Sequence, residues 1–244
     1  MNRDYQKWYS DHLGKEMELL VHGHAGTPFI IFPCSNGRFF DFENRGMFHT
    51  VEQELKEGKA IFFSVDSIDR ETWHNHGAHP SVGASRHEHY DQYIIHEVIP
   101  FIHHFLGNNE KIIAAGASMG AYHAVNFFLR HPDAFGGTLA LSGNYHAKHF
   151  VGDYMDEHVY FNSPLAFLPG LQDNWYLDQY RSSKIFVCTG QGAWEETMVE
   201  DTHHLKSLLE EKNVPAHIEF WGHDVNHDWN WWELQFPYFV KKIV

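Results

Sequence analysis

Residues 112–121, Ile112-Ile113-Ala114-Ala115-Gly116-Ala117-Ser118-Met119-Gly120-Ala121, decide how this chain is read. A short apolar run leads into Gly-Ala-Ser-Met-Gly, and a helical pattern follows as far as Arg130. A Gly-x-Ser-x-Gly turn between a strand and a helix holds its serine in a strained backbone conformation. Side chains two residues before and two after that serine would collide with neighbouring elements, and glycine at both places removes them. The turn lifts the serine oxygen clear of the backbone, and the first amides of the helix point towards negative charge developing there. Ser118 is therefore the candidate nucleophile.

Outward from this turn, strand and helix patterns alternate. Runs at 28–33 and 60–65 are wholly apolar, as expected of strands buried on both faces. Further strands are read at 17–22, 111–115, 137–141, 184–189 and 216–221, and helices at 86–106, 119–131, 199–213 and 229–242. In the first helix Tyr90, Tyr93, Ile94, Val98, Phe101, Ile102 and Phe105 share one stripe. Pro100 is expected to kink or divide it. Residues 143–180 carry no clear period and read as a cap-like insertion over a sheet edge. Without linkers or repeats, residues 1–244 are expected to form a single α/β domain, a mostly parallel twisted sheet with helices on both faces. Sites in such sheets lie at the carboxyl ends of the strands.

At 244 residues and 43% hydrophobic content, the chain can bury a substantial core. Its formal charge of −14 argues against nucleic acid or an anionic membrane as partner. No stretch approaches membrane-spanning length, and Met1-Asn2-Arg3-Asp4-Tyr5 is polar, so a soluble cytoplasmic protein is expected. Cys34 and Cys188 each sit in an apolar run and are expected to be buried thiols. The sequence leaves a homo-oligomer open.

A serine hydroxyl is a poor nucleophile at neutral pH and needs a base, itself oriented by an acid. Strand 184–189 runs into Gly190-Gln191-Gly192-Ala193-Trp194-Glu195-Glu196, a loop able to deliver a carboxylate. Strand 216–221 runs into Gly222-His223-Asp224-Val225-Asn226-His227-Asp228-Trp229, which offers two histidines. The order is serine, acid, histidine, as in the α/β-hydrolases.

With these motifs the chain resembles the esterase D-like family of the α/β-hydrolase superfamily, which includes S-formylglutathione hydrolases, feruloyl and enterochelin esterases and mycolyltransferases. The most specific piece of the resemblance is His227-Asp228-Trp229-Asn230-Trp231-Trp232, which reads as the family's histidine-x-tryptophan end motif. The resemblance implies an α/β-hydrolase fold and hydrolysis of a small-molecule carboxylic ester or thioester through an acyl-serine, without cofactor or metal. It makes His227 the base, with His223 as the alternative. Relatives place an aspartate shortly after the glycine that ends the strand before the acid loop. Here none occurs between Gly190 and Glu200, so the role falls to Glu195 or Glu196. Glu195 is favoured, its neighbour then facing solvent in the first helical turn; Asp201 is a further alternative. The oxyanion donors are the backbone amide of Met119 and, by matching the family, that of Ser35, with Asn36 adjacent. Pro33-Cys34 replaces the family's usual His-Gly or Asp-Gly at that loop. The alternative functions are acyl transfer by the same three residues and a non-catalytic binding protein on the same fold.

Of the chain's 22 histidines, several crowd Trp73-His74-Asn75-His76-Gly77-Ala78-His79-Pro80, with His87 and His89 nearby. They lack the His-x-x-x-His and His-Glu-x-x-His spacings of helical zinc sites, and the loop is expected to line the mouth of the cleft. Trp231, Trp232, Phe236, Tyr238 and Phe239 are expected in the core, while Trp194 and Trp229 are candidate stacking surfaces.

Overall fold

A computed structural model describes residues 2–244. The chain opens with a hairpin of β1 (Arg3–Ser10) and β2 (Lys15–His22). It continues through β3 (Thr27–Phe32), β4 (Ala60–Val65), β5 (Ile112–Ala117), β6 (Phe135–Leu141), β7 (Lys184–Thr189) and β8 (His217–Phe220). The eight strands form one sheet in the order β1-β2-β4-β3-β5-β6-β7-β8. The β1–β2 and β2–β4 pairs are antiparallel and the remainder parallel. β1 escapes the hydrophobic pattern because it is an edge strand with mostly exposed, polar residues.

Alternate residues of the central strands enter two cores, one on each face. On one face Ile30, Phe32, Ile61, Phe63, Ile112 and Ala114 meet the helices α1 (Pro80–Tyr93), α2 (Ile99–Leu106), α3 (Met119–Arg130) and α4 (Glu196–Glu211). On the other face Phe29, Ile31, Phe62, Ile113 and Ala115 meet α5 (Trp229–Ile243) and short helical turns within residues 41–56. Burial on both faces is why these strands read as unbroken apolar runs.

Two helical expectations are corrected. The helix expected over 86–106 starts at Pro80, where His79 caps it by accepting from the Ser81 amide, and Pro100 does not divide it. Residues Ile94–Val98 widen into a π-helical turn just ahead of the proline. Proline brings no N–H and its ring crowds the carbonyl four residues back, and the wider turn makes room for it. Residues 143–180 fold into short helices, including Glu157–Phe161 and Asn174–Arg181. Their hydrogen bonds run to the helix layer: Tyr122 Oη donates to the Asn162 carbonyl, Tyr180 Oη to that of Leu129, and Lys212 Nζ to that of Leu171. These bonds tie the insertion to α3 and its neighbours.

β3 and β5 lie side by side, with Phe32 in register with Gly116. The chain leaves β3 towards one face and β5 towards the other, so a crevice opens at their carboxyl ends, the expected place for a site. A Cβ on Gly116 would lie 2.4 Å from the Gly120 carbonyl carbon, and one on Gly120 would lie 2.2 Å from the Phe32 carbonyl oxygen. Both contacts are with backbone, which cannot swing aside. Gly120→Ala should therefore destabilise the protein by about 3 kcal/mol. Urea unfolding checks this: a midpoint close to wild type would mean that β3 and α3 separate easily.

Candidate active site

Ser118 links β5 to α3 with φ 54° and ψ −120°, a strained conformation for a residue with a side chain. Its amide donates to the Leu141 carbonyl at the end of β6, which fixes the turn against the sheet. The Ser118 Oγ lies 2.9 Å from Nε2 of His227. On the other side of the imidazole, Nδ1 lies 3.6 Å from Oε2 of Glu195, whose side chain is fully buried. His227 Nδ1 is itself buried and has no hydrogen-bond partner among the described residues.

Two loops bring these residues together because they are laced to each other. The Gln191 amide donates to the Gly222 carbonyl, the Gly192 amide to that of Val225, and the His227 amide to that of Ala193. The Ala193 amide donates to Asn226 Oδ1. The approach is close enough that a Cβ on Gly190 would lie 2.1 Å from the Val225 carbonyl oxygen. Trp232 meets the His227 ring edge-to-face at 5.0 Å between centroids and limits how it can turn.

Glu195 is held by hydroxyls. Ser142 Oγ donates to Oε1 at 2.5 Å and Thr189 Oγ1 to Oε2 at 2.9 Å. Trp232 Nε1 in turn donates to Ser142 Oγ at 3.1 Å. The other candidates lie apart from this arrangement. Glu196 is exposed in the first turn of α4. Asp201 accepts from the Tyr145 and His146 amides. His223 is exposed, with Nδ1 3.4 Å from the Gln191 carbonyl, a contact within the laced loops.

The amides of Met119 and Ser35 have no acceptor among the described residues. Ser35 is exposed on the loop after β3, whereas its neighbour Asn36 has its amide committed to Asp69 Oδ2 at 3.0 Å. Cys34 donates its thiol to the Ala117 carbonyl at 3.4 Å. Burial, with Asp41 nearby, pushes that thiol well above its ordinary range. Among the described residues no three His, Cys, Asp or Glu side chains converge as a metal site. His74, in the histidine-rich loop, instead faces Asn36, with Nδ1 2.9 Å from Nδ2.

The sequence matches the family model Esterase, described as "Putative esterase", over residues 10–243. The chain belongs to the esterase family. A search of curated proteins finds no match to this esterase. Its structure is similar to a ferulic acid esterase, with TM-score 0.77 and 17% identity over 99% of this chain and 98% of that one. It is also similar to the S-formylglutathione hydrolase FrmB of Staphylococcus aureus, with TM-score 0.70 and 16% identity over 99% and 98%. The serine hydrolase FphF of the same organism gives TM-score 0.67 and 18% identity over 99% and 97%. At such identities these likenesses establish the α/β-hydrolase fold. No helix among the described residues is long and apolar enough to cross a membrane.

Neither of two sizeable cavities in the esterase is lined by Ser118, Glu195 or His227. One of about 290 Å³ is lined by Trp73, His76, Pro80, Phe150 and Val151. Of its lining, Trp73 and Phe150 belong to the cluster that also holds Met119, the residue after Ser118. The other, about 550 Å³ between Arg130, His131, Phe161 and Tyr176, opens beside the last turn of α3, roughly 18 Å along the helix from Ser118. Its size does not locate the chemistry.

Sequence reasoning missed Ser142 and Thr189 and read Trp232 as core alone. Their signal was position, since both hydroxyls lie at the carboxyl ends of β6 and β7. Ser142→Ala would leave the buried Trp232 Nε1 without its acceptor and Glu195 Oε1 without its donor. The expected cost is about 1–3 kcal/mol, measured by urea denaturation; wild-type stability would show that water replaces the hydroxyl.

Proposed function

We propose that this esterase cleaves a carboxylic ester through an acyl-serine intermediate on Ser118, with His227 as base and Glu195 as the acid. The observation that carries the reading is the pairing of Ser118 Oγ with His227 Nε2 at 2.9 Å in front of a buried carboxylate. His227 Nε2 takes the hydroxyl proton as Ser118 attacks the carbonyl, then gives it to the departing alcohol. A water activated by the same nitrogen releases the acid. Glu195 faces the imidazolium and stabilises its charge. The 3.6 Å separation on that side is the looser geometry common before substrate is bound.

The tetrahedral oxygen is placed between the amides of Met119 and Ser35. Met119 lies at the start of α3, where the helix dipole also favours negative charge. The Trp73–Phe150 cleft beside Met119 suits a compact apolar group of the ester, aromatic or aliphatic. Ser118 and His227 are both partly exposed, so water has access to the acyl group, which favours hydrolysis over transfer. The unpaired Cys34 and Cys188 accord with a reducing, cytoplasmic setting.

Ser118→Ala should lower kcat on a p-nitrophenyl ester by at least about 10³-fold and abolish labelling by a fluorophosphonate. Wild-type turnover by that variant would sink the mechanism. Glu195→Gln should lower kcat by about 10²–10⁴-fold with little change in KM, whereas Glu196→Gln and His223→Ala should leave both near wild type. Loss of activity in His223→Ala with retention in His227→Ala would exchange the two histidines. Product analysis with added alcohols and sugars tests hydrolysis: predominant transfer to an acceptor would replace it by an acyltransferase.

A further inference from the structure

Asp69 takes no part in the chemistry above, although its carboxylate touches both pieces of chain that supply the oxyanion amides. It lies in the single turn Asp69–Glu71 after β4 and is almost fully buried. Oδ2 accepts the Asn36 amide at 3.0 Å, and Oδ1 lies 3.0 Å from Nε2 of His123. Asn36 directly follows Ser35. His123 sits in α3 four residues beyond Met119, on the same side of the helix.

The two amides come from different elements, so their separation is set by how the loop after β3 sits on α3. Asn36 occupies the left-handed region at φ 56°, and the hydrogen bond its amide donates to Asp69 helps to hold it there. The same segment after β4 adds three further ties to the loop, Arg38 Nε to the Asp66 carboxylate, Ser67 Oγ to the Gly37 carbonyl and His74 Nδ1 to Asn36 Nδ2. Asp69 differs from these in that it also reaches α3.

Behind His123 stands a second buried imidazole. The His87 ring is stacked on it at 5.5 Å and 4°, with His87 Nε2 3.5 Å from His123 Nδ1. Burial pushes His87 well below its ordinary range, so the ring is neutral. His87 Nε2 thus faces His123 Nδ1, and His123 Nε2 faces one Asp69 oxygen while the Asn36 amide donates to the other, so both imidazoles and the carboxylate form one connected buried line.

We propose that Asp69 is a positioning residue for the oxyanion site: its two oxygens bind the Ser35–Asn36 loop to α3 and so fix the spacing of the Ser35 and Met119 amides. This rests on the reading of Ser118 as nucleophile and of those two amides as donors.

The test is steady-state hydrolysis of p-nitrophenyl acetate by wild type and by Asp69→Ala, Asp69→Asn and Asp69→Glu. Rates are normalised to sites titrated with a fluorophosphonate, and affinity for a trifluoromethyl ketone, which forms a tetrahedral adduct, is measured alongside. Asp69→Ala should lose about 10²-fold in kcat per titrated site, with KM nearly unchanged, and lose ketone affinity in proportion. Asp69→Asn should stay near wild type. Its carbonyl can accept the Asn36 amide while its NH₂ donates to His123 Nε2, which puts the ring proton of His123 on Nδ1, facing His87 Nε2. ¹⁵N ring shifts would then report the proton on His123 Nδ1.

A wild-type kcat per site in Asp69→Ala, a change in KM alone, or an Asn variant as slow as Ala would overturn the proposal. If Asp69→Ala does not fold, Asp69→Glu decides. It keeps the charge but displaces the loop by one methylene, so at least a tenfold lower kcat at constant KM is expected, and wild-type kcat overturns the idea. If wild type resists fluorophosphonate and Ser118→Ala stays active, the nucleophile reading has failed. If those controls behave and Asp69→Ala is normal, only the role of Asp69 has failed.

Discussion

One backbone can lie directly against another only where no Cβ stands between them, and the contact of Gly120 with the Phe32 carbonyl is of that kind. It seats the start of α3 on the end of β3. From that seat follow the elevation of Ser118, the direction of the Met119 amide and the position of the loop that carries Ser35. The same device recurs across the cleft, where Gly190 and Gly192 let the loop of Glu195 lie on the Val225 backbone beside His227. Side-chain chemistry at the site therefore depends on two places where side chains are missing.

Most of the scaffold was legible in the sequence for a physical reason. Parallel strands buried on both faces must be apolar throughout, and 28–33, 60–65 and 184–189 announce themselves. The strained elbow requires glycine on both sides of its serine, so Ser118 was legible as well. β1 was not, because a solvent-exposed edge strand need not be apolar. The π-helical turn before Pro100 was hidden because a proline in a helical pattern states that the ladder is interrupted, not how the interruption is absorbed.

The partners of Glu195 were illegible for a different reason. Ser142, Thr189 and Trp232 are widely separated along the chain, and their convergence depends on the order of β6 and β7 in the sheet. Nothing local distinguishes a serine that supports a carboxylate from one in an ordinary strand-end turn. Their effect is nonetheless considerable, since a carboxylate moved into a protein interior must exchange its hydration for fixed donors. The two hydroxyls do this while leaving Oε2 turned towards the imidazole.

The chain leaves β3 and β5 towards opposite faces of the sheet, so the crevice between them is bounded by segments that never continue into one another. Amides drawn from both sides cannot be spaced by local geometry, and some longer-range contact must set their separation. Gly120 does so sterically, by limiting how near α3 and β3 come. A limit on closest approach does not prevent the loop from drifting outward, however, so an attractive tie is needed beside the repulsive stop. Such a tie holds its length best when both partners are screened from competing water, because an exposed hydrogen bond exchanges readily with solvent. The Asp69–His123 link is buried and meets that requirement, and from this protected anchor on α3 the second oxygen of Asp69 reaches out to the amide of the exposed Asn36.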